Sequence, residues 1–165
     1  MHLLKQIKTN EIQDESKIRF RRAVRIIWID ENNLIPLLFV SNHNYHKLPG
    51  GWIEDGEDQG TALERECMEE LGSEIEVLGE VWEIHEYREQ SHLHQISYCY
   101  FGKITPKSSP NFTEDELAWG FQIIWMTLDD AIQQVKKDAP INYQGTSIQE
   151  RDLCFLEAYK KIIHS

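Results

Sequence analysis

β-Branched residues crowd Ile18–Asp30, the turn-type cluster Asp30-Glu31-Asn32-Asn33 follows, and a second apolar run spans Leu34–Val40, a pattern that predicts a β-hairpin. After a loop over Ser41–Lys47, Leu48-Pro49-Gly50-Gly51 punctuates the chain: Pro49 holds Leu48 extended, and the glycines permit close backbone approach. From Gln59 to Leu71 the apolar positions fall at Leu63, Cys67 and Leu71, the i, i+4, i+8 stripe of an amphipathic helix, with Gly72 as its stop. Ile75–Tyr87 and Leu93–Ile104 read as strands, Thr105–Asn111 as a loop, and Phe121–Met126 as a short strand. Thr127-x-x-Asp130 opens a helix to about Lys137, and Ser147-x-x-Glu150 a last one whose Leu153, Leu156, Ala158 and Ile162 face a core. No repeat or dividing linker appears, so the expectation is one α/β (α+β) domain over residues 1–165, a mixed sheet flanked by helices.

Composition narrows the class. With 165 residues, 41% of them hydrophobic, the chain can fill a core, and no apolar run is long enough to span a bilayer. Met1–Asn10 lacks a leader pattern, and Cys67, Cys99 and Cys154 are odd in number and scattered, so a reduced, cytoplasmic protein is expected. The net charge of −11 disfavours polymeric nucleic acid and anionic membrane as partners. That charge is local: residues 51–89 hold 14 acidic side chains against 2 basic ones.

Within that stretch Glu66, Glu69 and Glu70 stand at i, i+3 and i+4, within about 100° of one another around a helix. Such carboxylates repel each other in water. A hard divalent cation would turn the repulsion into ligation and bridge to phosphate, while a plain solvated face explains the spacing equally well.

The run Gly51-x5-Glu57-x7-Arg65-Glu66-Cys67-x-Glu69-Glu70-x-Gly72-Ser73, preceded by Leu48-Pro49-Gly50, resembles the 23-residue Nudix box at all seven of its fixed glycine and charged positions. Cys67 and Ser73 depart from its aliphatic positions, with Ile75 available to take over the packing of Ser73. The resemblance implies a Nudix-like α/β/α sandwich and a Mg²⁺- or Mn²⁺-dependent hydrolase of a nucleoside diphosphate linked to another moiety. It implies metal ligation by Glu66, Glu69, Glu70 and the Gly50 carbonyl, and a structural role for Gly51, Glu57, Arg65 and Gly72. It implies a proton acceptor among Glu66, Glu69 and a glutamate on a later loop, where Glu116 is favoured over Glu114. The alternative of another class is a Nudix-fold sensor or scaffold that binds a nucleotide without cleaving it. The partner in either case is a small nucleotide-derived molecule, and the chain is expected as a monomer or homodimer.

Other residues carry weaker signals. His43 and His46 precede the box, Trp52 follows its first glycine, Arg19, Arg21 and Arg25 alternate along a strand, and Arg88 ends a later one. Arg25, His46, Trp52 and Arg88 are the candidates for substrate contact, each set against a packing or solvated role. Zinc ligation by His43 and His46 or by His92 and His94 lacks a matching Cys or carboxylate spacing. Substrate class stays open among nucleoside triphosphates, dinucleoside polyphosphates and sugar nucleotides.

Overall fold

The computed structural model describes residues 1–8 and 15–165, so the last two positions of the Met1–Asn10 stretch lie outside the described residues. Along the chain run β1 (Leu3–Lys8), β2 (Arg19–Ile29), β3 (Ile35–Val40), β4 (Tyr45–Lys47), α1 (Gln59–Leu71), β5 (Ser73–Arg88), β6 (Leu93–Pro106), α2 (Glu114–Ala118), β7 (Phe121–Met126), α3 (Leu128–Lys137) and α4 (Tyr143–Ile163). One sheet has the order β1-β5-β6-β2 and the other β4-β3-β7. The first is mixed, with β1 parallel to β5, β2 parallel to β6, and β5 antiparallel to β6.

The predicted hairpin is instead a corner. Asp30 does turn the chain, its side chain accepting from Leu34 N at 2.7 Å, but β2 pairs with β6 while β3 pairs with β4 and β7. The reason lies in β2 itself. Val24, Ile26 and Trp28 pack on one side with Ala62, Leu63, Cys67 and Leu71 of α1, while Ile27 packs on the other with Leu37, Phe155 and Tyr159. A strand covered on both faces belongs inside a layered structure, and apolar content alone does not name its hydrogen-bonding partner.

Three further boundaries moved. Tyr45–Lys47 of the expected loop is a strand, and β6 runs on through Pro106. The last helix begins at Tyr143, four residues before the expected cap at Ser147, because Asn142 caps it by accepting from Gly145 N at 2.8 Å. Its buried face also differs from the expected stripe. Ile148, Arg151, Asp152, Phe155, Leu156 and Tyr159 point inward, whereas Leu153 and Ile162 are only partly covered. Helix α1 keeps its predicted bounds, with Asp58 as N-cap to Thr61 N at 2.8 Å. Cys67 is buried in the α1 cluster, and Ser73 is buried too, its hydroxyl donating to Leu71 O at 3.1 Å while Ile75 packs against that cluster. Among the described residues no helix is long and apolar enough to cross a membrane.

Candidate active site

The segment before α1 lies alongside β2: Ile26 N donates to Pro49 O at 3.2 Å and Val24 N to Gly51 O at 2.9 Å. This approach needs glycine. At Gly50, with φ of +124°, a Cβ would stand 2.2 Å from the Val24 carbonyl oxygen. At Gly51 a Cβ would fall 2.1 Å from a carboxylate oxygen of Glu66. The two glycines thus let β2, the loop and the acidic face of α1 meet.

Glu70 is fully buried there. One oxygen accepts from Gly50 N at 2.6 Å, and the other lies 3.3 Å from Lys47 Nζ, without hydrogen-bond geometry to any group. Burial pushes its pKa up to about 7, with Lys47 opposing and Glu66 adding to the rise. Glu69 is also held above the ordinary carboxylate range, first by desolvation and then by Glu66.

Arg65 is the cation of this face. It grips Glu57 through two hydrogen bonds of 2.7 and 3.0 Å, reaches Glu66 at 2.8 Å and Glu69 at 3.4 Å, and donates to Trp52 O at 2.8 Å. The hydrogen bond from Arg65 holds the Glu57 carboxyl down at about 2, and Arg65 is held more firmly protonated in return. Glu57 therefore fastens the loop to α1, while Glu66 and Glu69 share what is left of one guanidinium.

Glu116, on α2, is half-buried and raises the proton affinity of both Glu69 and Glu70, so its charge stands close to the cluster; Glu114 is exposed. One Glu116 oxygen accepts from Thr113 N at 2.8 Å in a capping box that also forms the short helix.

The four candidates for substrate contact part ways. His46 is turned to Asp138 at 2.9 Å and stacked on Phe39, so its ring is committed to the fold. Arg88 is buried against Glu86 at 2.5 Å. Arg25 is buried with Nη1 donating to Val24 O at 2.6 Å, its pKa lowered to about 10 by burial and then by Arg151. Trp52 is 55% exposed and lies under the Arg21 guanidinium at 3.8 Å.

The sequence reading missed the buried polar network into which Arg25 and Arg88 fall. Burial raises the Glu86 carboxyl, but Arg151 and Arg88 outweigh it and hold its pKa below the ordinary value. Gln95 donates to Glu86 at 2.9 Å and accepts from Arg21 Nε at 2.7 Å, and Ser97 donates to Glu86 at 3.0 Å. Arg151 donates to Asp152 at 2.7 Å, and Asp152 accepts from Leu48 N at 2.8 Å, which ties α4 to the segment that leads into the box. A signal was present: Glu86, Gln95 and Ser97 occupy the same strand parity as buried Ile84, Leu93 and Cys99.

Do these residues suit a divalent ion? In kind they do: every side-chain donor is an oxygen, and Glu70 keeps one buried oxygen unsatisfied. In position they need adjustment, for among the described residues no three acidic, His or Cys side chains are already arranged around a common point. Arg65 draws Glu66 and Glu69 toward itself, and a rotation of those two side chains off the guanidinium is what ligation requires. A groove of about 490 Å³ between α3 and α4, lined by Lys136, Lys160, Lys161 and His164 among others, includes none of these residues.

A family model described as NUDIX domain matches residues 19–146, most of the chain. The chain belongs to the Nudix family. Solved structures share its fold: the E. coli ORF135 protein aligns with a TM-score of 0.61 at 20% identity, covering 89% of this chain and 93% of that one. A NUDIX hydrolase from Nitrosomonas europaea aligns at 0.60 and 14% identity, covering 87% and 90%. A search of curated protein sequences gave no significant match. The matched Nudix segment contains the whole box, and it stops before Arg151 and Asp152.

Proposed function

We propose that this Nudix chain, acting as one domain, hydrolyses a diphosphate bond in a nucleoside diphosphate linked to another moiety, with Mg²⁺ or Mn²⁺. The observation that carries the reading is the meeting of Glu66 and Glu70 with the Gly50–Gly51 backbone, with Glu69 drawn toward Glu66 by Arg65, an all-oxygen set with one unsatisfied buried carboxylate oxygen. A divalent ion held by these glutamates and the Gly50 carbonyl would withdraw charge from the diphosphate oxygens and acidify a bound water.

The chain's own groups have distinct parts to play. Glu70 is held in place by Gly50 N–H and Lys47 and supplies a fixed carboxyl oxygen. Glu57 and Arg65 set the position of the loop against α1. Glu69, a third exposed, is suited to take the proton of an attacking water where it is not fully engaged in ligation. Glu66 can share that work, and Glu116 approaches from α2 as the acceptor outside the box.

The test is an incubation of the purified chain with nucleoside triphosphates, dinucleoside polyphosphates and sugar nucleotides, with Mg²⁺, Mn²⁺ or a chelator, following product identity. Metal-dependent release of a nucleoside monophosphate or phosphate from one class, abolished by Glu69→Gln and Glu70→Gln, is expected. Tight binding of a nucleotide with no cleavage under any metal would overturn the hydrolase reading in favour of a sensor.

A further inference from the structure

Trp52 is an exposed aromatic ring that the fold takes trouble to hold still. Its backbone is fixed on both edges: it forms an isolated bridge with Ala23, and its carbonyl accepts from Arg65 Nη2 at 2.8 Å. Ile53 packs into the α1 cluster, so Trp52, one residue earlier on an extended segment, points to the opposite side, where Arg21, Ala23 and Arg25 line β2. There the Arg21 guanidinium covers one face of the ring at 3.8 Å. Arg21 is held in turn by Gln95 at 2.7 Å, and Gln95 by buried Glu86 at 2.9 Å.

A ring kept for packing would be buried among apolar neighbours. Trp52 belongs to none of the apolar clusters and remains 55% exposed. An indole with one face braced by a cation and more than half of the residue open to solvent is a preorganised surface for a planar partner. Its neighbour in the chain, Gly51, touches the Glu66 carboxylate, and the same Arg65 that binds its carbonyl reaches Glu66 and Glu69. A planar group on Trp52 would therefore belong to the molecule whose phosphates lie at those glutamates.

We propose that Trp52, braced by Arg21, is the stacking platform for the heterocyclic base of the nucleotide, and so a specificity-determining residue of this site. The proposal rests on the hydrolase reading for the placement of the phosphates. It concerns recognition, and it is tested by binding without turnover.

Calorimetric titrations with AMP, GMP, CMP and UMP, each compared with ribose 5-phosphate in the presence of Mg²⁺, isolate the contribution of the base. In the wild-type protein at least one nucleotide is expected to bind roughly 5- to 150-fold more tightly than ribose 5-phosphate, the range for stacking one base on an aromatic side chain. Trp52→Ala should erase that advantage, Trp52→Phe should keep most of it, and Arg21→Met, which frees the ring, should retain only part. Affinity for ribose 5-phosphate itself should be the same in all four proteins, which also reports that each variant is folded. An undiminished base advantage in Trp52→Ala, or none in the wild type, would overturn the proposal. Base-dependent binding lost in Trp52→Ala, in a protein that cleaves nothing, would sink the hydrolase reading and leave the platform standing.

Discussion

Replacing Glu70 by Gln should stabilise the metal-free protein while destroying its activity, and it should do so only above a certain pH. The side chain is fully buried, and its pKa stands at about 7 against an ordinary 4.5. Between those two values the folded protein holds a proton that the unfolded chain has released, so stability falls as pH rises through this window. The penalty is absent below 4.5 and complete above 7, where the interval corresponds to about 3 kcal/mol. Glutamine removes the charge and can still offer an oxygen to Gly50 N–H. It leaves Lys47, 3.3 Å away, without its counter-charge, as protonated Glu70 does, so that attraction is already contained in the pKa of about 7. The gain at pH 8 is therefore about 3 kcal/mol, or about 6–12 °C in Tm for a chain of this size. Thermal unfolding followed by circular dichroism, with a chelator present, at pH 4.5 and pH 8, measures it. At pH 4.5 the two proteins should melt together, or the variant slightly lower. A variant less stable than wild type at pH 8, or one displaced equally at both pH values, would refute the reasoning, for it would make the carboxylate a net stabilising partner.

Other substitutions separate folding from chemistry. Gly50→Ala drives a Cβ against the Val24 backbone at a positive φ and should cost about 1–3 kcal/mol in urea unfolding, whereas Gly51→Ala meets only the movable end of Glu66 and should lower kcat more than stability. Arg65→Lys keeps the charge but loses the two-pronged grip on Glu57, so a loss of about 1–2 kcal/mol is expected at neutral pH. Because the pKa of Glu57 is depressed to about 2, that contribution is present above 4.5 and fades as pH falls toward 2. The unfolding curves of Arg65→Lys and wild type should accordingly converge in acid.

What the sequence made legible was local. Spacing along one helix located α1 to the residue and aligned Glu66, Glu69 and Glu70, because i, i+3, i+4 neighbours are fixed by helix geometry alone. Partner choice was not legible. The Asp30–Asn33 turn reads alike whether it closes a hairpin or bridges two sheets, since the apolar content of β2 suits either. The start of α4 went astray because Ser147 and Glu150 imitate a cap, whereas the actual cap, Asn142, follows a stretch with no periodicity to announce it. Hardest of all were Arg151, Asp152 and Glu86: in a list of residues charge signals exposure, and only packing shows that these three neutralise one another inside.

The hydrogen bond from Leu48 N to Asp152 spans 104 positions of the chain. The Nudix box is contiguous, yet the segment that leads into it is pinned by a helix near the other end of the sequence. During synthesis the box can form its helix early and Pro49-Gly50-Gly51 can pair with β2 and Glu70, but Leu48 lacks its Asp152 anchor until α4 has been made and docked. A chain cut after residue 146, where the family match ends, would carry every motif residue and lack the fastener that sets them. The docking of the last helix is therefore expected to complete the site, and activity should emerge during refolding only with the docking of α4.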